Sequence, residues 1–127
     1  MKQAASTKAV VEAYIEAINA HDVASIVALS TPDHEFIDAF GGIVTAEKLA
    51  EAWAGYFAFM PRYGIEIDEI ICDGDVASVF GQAWGSLNDV AKSWRRPAAW
   101  RVRIKDGRMA LWQVYVDTKA VFDLLAG

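Results

Sequence analysis

Hydrophobic positions recur at helical spacing early in the chain and alternate later. Val10, Val11, Tyr14, Ala17 and Ile18 fall on one side of a helix predicted over Thr7 to Ala20, with Lys8, Glu12 and Glu16 opposite. Asp22 suits the N-cap of a second helix, Val23 to Ser30, which Pro32 ends. A short strand follows at Asp33-His34-Glu35-Phe36-Ile37-Asp38-Ala39-Phe40, before Gly41-Gly42. Alternation places His34, Phe36, Asp38 and Phe40 on one face. Thr45 then caps a third helix, Ala46 to Met60, whose stripe is Leu49, Trp53, Tyr56, Phe57 and Met60; Pro61 closes it.

From Tyr63 onward the pattern is all strand. Tyr63, Ile65 and Ile67 face one way, and the alternation slips at Glu69-Ile70-Ile71 as a β-bulge would make it slip. Asp73-Gly74-Asp75 makes a hairpin turn. Val76 to Leu87 is sorted by size, with Phe80, Gln82 and Trp84 on one face and Ala77, Val79, Gly81, Ala83 and Gly85 on the other. After a loop around Asn88 to Ser93, Trp100, Val102 and Ile104 alternate with Arg101, Arg103 and Lys105. Pro97 confines the start of that strand to an edge or bulge. Lys105-Asp106-Gly107 turns into a last strand, Arg108 to Thr118, and Ala120 to Leu125 forms a short terminal helix. Three helices around one strand, then a four-strand meander, make an α+β domain: a strongly bent sheet wrapped over helices, open at one end.

At 127 residues, 54% hydrophobic and 23% charged, the chain reads as one globular domain. No apolar run reaches the length of a membrane span, the polar start lacks a signal-peptide core, and a single cysteine, Cys72, precludes an internal disulfide; a cytoplasmic protein fits. A net charge of −5 argues against nucleic acid. Seven of the twelve Lys and Arg lie between Lys92 and Arg108, best read as the solvated face of one strand opposite Glu66, Asp68 and Glu69. Five Trp, six Phe and four Tyr exceed what a core of this size needs and point to an aromatic-lined cavity or an apolar interface.

Asp38 is the first candidate for chemistry. A carboxylate beside Phe36 and Phe40 must be hydrogen-bonded, neutralised or used as a proton-transfer base. Its bland alternative is a strand-end carboxylate satisfied by a backbone amide near Gly41-Gly42. Tyr14, on the buried stripe, could donate to an oxyanion or be a core tyrosine with a satisfied hydroxyl. Asp117 shares a face with Gln113 and Tyr115, while Trp112, Val114 and Val116 take the other; both faces are bulky, so the pattern leaves open which is inside. It could equally cap the terminal helix. His34, about 13 Å along the strand from Asp38, reads as a buried neutral ring. Two histidines and one cysteine offer no metal-ligand spacing, and neither a phosphate loop nor a serine-nucleophile motif is present.

With Val10-Val11-Glu12-Ala13-Tyr14, Asn19-Ala20-His21-Asp22 and Ile26-Val27-Ala28-Leu29 in hand, the chain resembles the nuclear-transport-factor-2-like superfamily, in its ketosteroid-isomerase and SnoaL-like polyketide-cyclase branch. The resemblance covers nearly the whole chain. It implies a cone of three helices on a curved sheet. It also implies that Tyr14 matches the isomerases' oxyanion-hole tyrosine and Asp38 their catalytic base. Those isomerases carry a second, acidic donor early in the strand that here reads Pro97-Ala98-Ala99-Trp100, where only the Trp100 indole N–H is available. Trp112-x-x-Tyr115-x-Asp117 is similar to the end of SnoaL-like cyclases and limonene epoxide hydrolase, where the matching aspartate is an acid/base. The epoxide hydrolases' Arg-x-Asp pair is replaced by Phe80-Gly81-Gln82, and scytalone-type dehydration needs a second pocket histidine beside His34.

The expectation is a homodimeric cone, needing no cofactor, with a pocket lined by His34, Phe36, Trp53, Phe57, Phe80, Trp84, Trp100 and Trp112. Asp38, Tyr14 and Asp117 would move protons on a hydrophobic cyclic carbonyl compound. The alternative is a non-catalytic ligand-binding or dimerisation module.

Overall fold

The computed structural model describes residues 6–86, 93–119 and 123. Helix α1 (Thr7–Asn19) starts where the Ser6 hydroxyl accepts the Ala9 amide at 3.1 Å, and it buries the predicted stripe Val10, Val11, Tyr14, Ala17 and Ile18. Asp22 caps α2 (Val23–Ala28) through the Ser25 amide. Strand β1 (Ser30–Ile37) begins earlier than the sequence suggests, because Pro32 is accommodated within it rather than before it; the pairing with its neighbour is irregular between Ser30 and Glu35. A short strand β2 (Ile43–Thr45) pairs back on β1. The third helix is shorter than predicted: a 3₁₀ turn (Ala46–Lys48) leads into α3 (Leu49–Phe59), which buries Leu49, Trp53 and Phe57.

Strands β3 (Gly64–Asp73), β4 (Val76–Ser86), β5 (Ser93–Lys105) and β6 (Arg108–Val116) form the meander, and the sheet order is β2-β1-β6-β5-β4-β3. β1 runs parallel to β6, with Phe36 opposite Trp112; the other pairings are antiparallel. The expected bulge lies between Ile67 and Glu69. Pro97 sits where β6 has just ceased to pair, at Ala98 opposite Val116, so one side of β5 is an edge there. The terminal helix expected over Ala120 to Leu125, most of the loop at 88–93 and Lys92 lie outside the described residues.

The size sorting of β4 decides which way the sheet bends. Ala77, Val79, Gly81, Ala83 and Gly85 all point inward and are buried. A Cβ on Gly81 would run into the Glu66 carbonyl, and one on Gly85 would meet the Trp94 indole nitrogen at 3.0 Å. Trp94, Ala98, Trp100, Val102 and Ile104 of β5 continue the inner face, and Arg101, Arg103 and Lys105 take the outer one.

The α1–α2 corner is fastened to the start of β3 by main-chain contacts. Asn19 donates to the Ile65 carbonyl at 2.9 Å and accepts the Ile65 amide at 2.8 Å, so its side-chain amide pairs with β3 as a neighbouring strand would. His21, at a positive φ of 52°, donates to the Tyr63 carbonyl at 2.7 Å and stacks on Phe57 with ring centroids 4.0 Å apart. Asn19→Ala removes both bonds at once. We expect it to lower the unfolding free energy by about 1–3 kcal/mol, read as a lower urea midpoint at unchanged slope.

Candidate functional site

Tyr14 and His34 meet deep under the sheet. The His34 Nδ1 lies 2.7 Å from the Met109 carbonyl, which can only accept, so Nδ1 carries the proton and Nε2 is left as an acceptor. Ser30 Oγ donates to the Ile26 carbonyl at 2.7 Å, so it can only accept from the Tyr14 hydroxyl 3.0 Å away. The phenol therefore gives its proton to Ser30, with His34 Nε2 a longer second acceptor at 3.5 Å. Burial pushes the Tyr14 phenol well above its ordinary pKa, against the smaller opposing effect of Ser30. Burial likewise lowers His34 from its ordinary 6.5, against the Met109 bond and the nearby Asp33 and Glu35 charges. Ser30 was not singled out from sequence; it carries the signal of a hydroxyl four residues after Ile26, where a helix end leaves a free carbonyl.

Alternation along β1 would carry the face of His34 and Phe36 on to Asp38, but Asp38 lies one residue past the strand, half-buried, in an exposed turn. Phe40, expected on that face, instead belongs to the tight turn Asp38–Gly42 and is 69% exposed. The turn is held by Asp38. Its Oδ1 accepts the Phe40 and Gly42 amides, both at 2.9 Å, and its own amide donates to the Gly42 carbonyl. Its Oδ2 is bound to neither amide. A Cβ on Gly42 would stand 2.8 Å from that oxygen, so glycine keeps its flank clear. By extension of the β1–β6 register, Asp38 falls level with Val114, whose partner on β5 is Trp100.

The aromatic residues form two groups. Tyr14, Trp112 and Trp100 run in series, with centroids 5.2 and 5.8 Å apart. Phe36 stacks on Trp53 at 5.0 Å, and Trp53 meets Phe57 at 5.2 Å. The indole N–H groups of Trp53, Trp94 and Trp100 are buried and have no acceptor among the described residues. Phe80 and Trp84 do not join these groups. Both turn to the outer face because the bend admits only small side chains inward; Phe80 is 41% exposed, and Trp84 lies under the Arg95 guanidinium at 4.8 Å. Asp117 accepts the Lys119 amide at 2.9 Å and pairs with Arg96 at 3.5 Å. Trp112, Val114 and Val116 are on the inside.

Neither Tyr14 nor Asp38 lines any of five open surface clefts among the described residues. Tyr14, Trp100 and Trp112 are in contact and closed to solvent. Among the described residues no three His, Cys, Asp or Glu gather as a metal would require, and no helix is long and apolar enough to cross a membrane.

Residues 11–112 match the SnoaL-like domain family. The chain belongs to that family. Solved structures with the same architecture include a protein with a ketosteroid isomerase-like fold from Catenulispora acidiphila, in complex with trimethylamine. It is 19% identical with a TM-score of 0.82, over 91% of this chain and 90% of that one. IdmH of Streptomyces antibioticus, a candidate polyketide cyclase, is 18% identical with a TM-score of 0.79 over 95% and 99%. TerC, co-crystallised with polyporic acid, is 19% identical with a TM-score of 0.81 over 95% and 98%. At such identities the likeness is one of fold: this SnoaL-like domain has the α+β, NTF2-like arrangement of helices on a six-stranded mixed sheet. No curated protein matches the chain.

The depressed His34 gives a pH dependence of definite sign. Above about pH 6.5 the ring is neutral in both states; below it the unfolded chain takes up the proton first, so stability falls until the folded ring also protonates. Denaturation of wild type and His34→Gln at pH 7.5 and pH 5 should show the larger acid-side loss in wild type.

Proposed function

We propose that this SnoaL-like domain is a cofactor-independent acid/base enzyme acting on a hydrophobic cyclic carbonyl compound, of isomerase or cyclase type. The observation that carries the reading is the state of Asp38: one carboxylate oxygen is held by two amides, and the other is bound by neither and lies beside Gly42, where no side chain crowds it. A base positioned through one oxygen and available through the other meets the geometric need of proton abstraction. The Trp100 N–H, level with Asp38 across two strand spacings or roughly 10 Å, is an unused buried donor. A fused-ring substrate is of the size to span them.

In this mechanism Asp38 Oδ2 takes a proton from the carbon next to the carbonyl, and the C–H electron pair moves to the carbonyl oxygen. Trp100 donates to the resulting enolate. Tyr14 adds a second donor when its hydroxyl turns from Ser30, and protonated Asp38 returns the proton to the substrate. Asp117 stands on the outer face with Tyr115, paired with Arg96 and the Lys119 amide, and takes no part in this step. Entry requires rotation of the interior rings, with Phe36, Trp53, Phe57, Trp112 and His34 forming the walls. That TerC was co-crystallised with polyporic acid supports a small organic ligand for this fold.

A second reading, a non-catalytic ligand-binding module, is favoured by the Tyr14 proton already given to Ser30 inside a closed core. Deuterium exchange into polycyclic ketones separates the two. Asp38→Asn keeps the Oδ1 acceptor of the turn and should leave stability within about 0.5 kcal/mol while slowing exchange about 10²–10⁴-fold. Asp38→Ala should cost about 1–3 kcal/mol besides. Equal exchange by wild type and Asp38→Asn, or none by wild type with any ketone, sinks the enzyme reading. Ligand-induced thermal stabilisation without exchange supports the module.

The outer sheet face supports pairing of two copies. Phe80, Ala99 and Tyr115 lie in one cross-strand row, with Phe80 41% and Tyr115 50% exposed. Light scattering should report a dimer, and Phe80→Arg a monomer.

A further inference from the structure

Helix α1 and the border strand β3 run side by side and are tied at both ends. Near the start of α1 the Thr7 hydroxyl donates to the Gly74 carbonyl at 2.6 Å, and at its end Asn19 holds both main-chain groups of Ile65. Between these ties opens a groove of about 670 Å³. Ile15, Ile67 and Ile70 line it; each packs on the core yet stays only half-buried. Carboxylates stand on both walls: Glu12 and Glu16 in the middle of α1, and Glu66, Asp68 and Glu69 on β3. Along each wall the charges recur at roughly 6–7 Å, one helical turn or two strand residues apart. Glu66 has an exposed contact with Arg95 at 3.5 Å; the other four form no ion pair among the described residues. Lys8 brings one positive charge to the lining, at the end near the start of α1.

The pairing of an aliphatic floor with acidic walls narrows the occupant. A bare metal cation would answer the carboxylates and leave the isoleucines wet, while a neutral apolar molecule would do the reverse. A strand of another chain is opposed by the bulge between Ile67 and Glu69, which breaks the ladder it would need. We propose that this groove binds an aliphatic di- or polyamine. Its methylene chain lies on Ile15, Ile67 and Ile70, and its ammonium groups donate to Glu12 and Glu16 on one wall and to Glu66, Asp68 and Glu69 on the other. The site goes beyond the acid/base reading of the interior and shares no residue with it.

The test is calorimetric titration of the purified protein with diaminooctane, diaminopropane, magnesium chloride and a capped dipeptide of two lysines, at matched ionic strength. Diaminooctane should bind saturably, about tenfold or more tightly than diaminopropane, because the two carry equal charge and differ only in the methylenes that reach the isoleucines. Magnesium should not displace it. Glu12→Gln combined with Glu16→Gln should weaken diaminooctane about fivefold. Glu47→Gln combined with Glu51→Gln removes the same charge from exposed positions at the start of the third helical segment and should leave binding unchanged. The proposal is overturned if diaminooctane does not bind, if the two diamines bind alike, or if the Glu47 and Glu51 changes weaken binding as much as those at Glu12 and Glu16. Displacement by magnesium would reduce the groove to an acidic surface, and tighter binding of the dipeptide would make the occupant a basic peptide; either result also overturns it.

Discussion

The bend of the sheet over α1 and α3 depends on one row of small side chains. Where β4 comes closest to its neighbours, Gly81 lies against the Glu66 carbonyl and Gly85 against the Trp94 indole and the Met60 sulfur, with no room for a methyl group. That row lets Trp94 and Trp100 of β5 lean inward, and it sends Phe80 and Trp84 to the outside. Large residues on the outer face and small ones on the inner one are two expressions of the same curvature.

What the bend encloses is chemically lopsided. The inner polar groups are mostly donors or committed acceptors: three indole N–H groups have no partner among the described residues, the Tyr14 proton goes to Ser30, and the His34 Nδ1 proton goes to Met109. Asp38 stands just past the end of β1, where turn amides fix one of its oxygens.

The fold was legible because its signals were local and redundant. Periodicity placed α1, alternation placed the meander, and a slip at Glu69 marked the bulge. Errors arose where tertiary contacts outweighed local rules. The second helix ends before Pro32 as expected, yet β1 begins at Ser30 and carries Pro32 beside an irregular pairing with β6. Phe40 fits an alternating strand until Asp38 binds the amides two and four residues on and turns the chain. Phe80 and Trp84 look like pocket walls if aromatic rings are assumed to face inward; the close approach at Gly81 reverses that, and a sequence records no such distance. The Ser30–Tyr14 bond and the Arg96–Asp117 pair join residues sixteen and twenty-one positions apart, without any local pattern to announce them.

Strand β3 forms one border of the sheet, and its exposed side chains include Glu66, Asp68, Glu69 and Asp73. Two such borders brought side by side would set carboxylates against carboxylates, while the bulge at Ile67–Glu69 spoils the straight hydrogen-bonding register that docking of strands requires. The molecule thus carries an electrostatic and geometric barrier against growing its sheet sideways into fibrils.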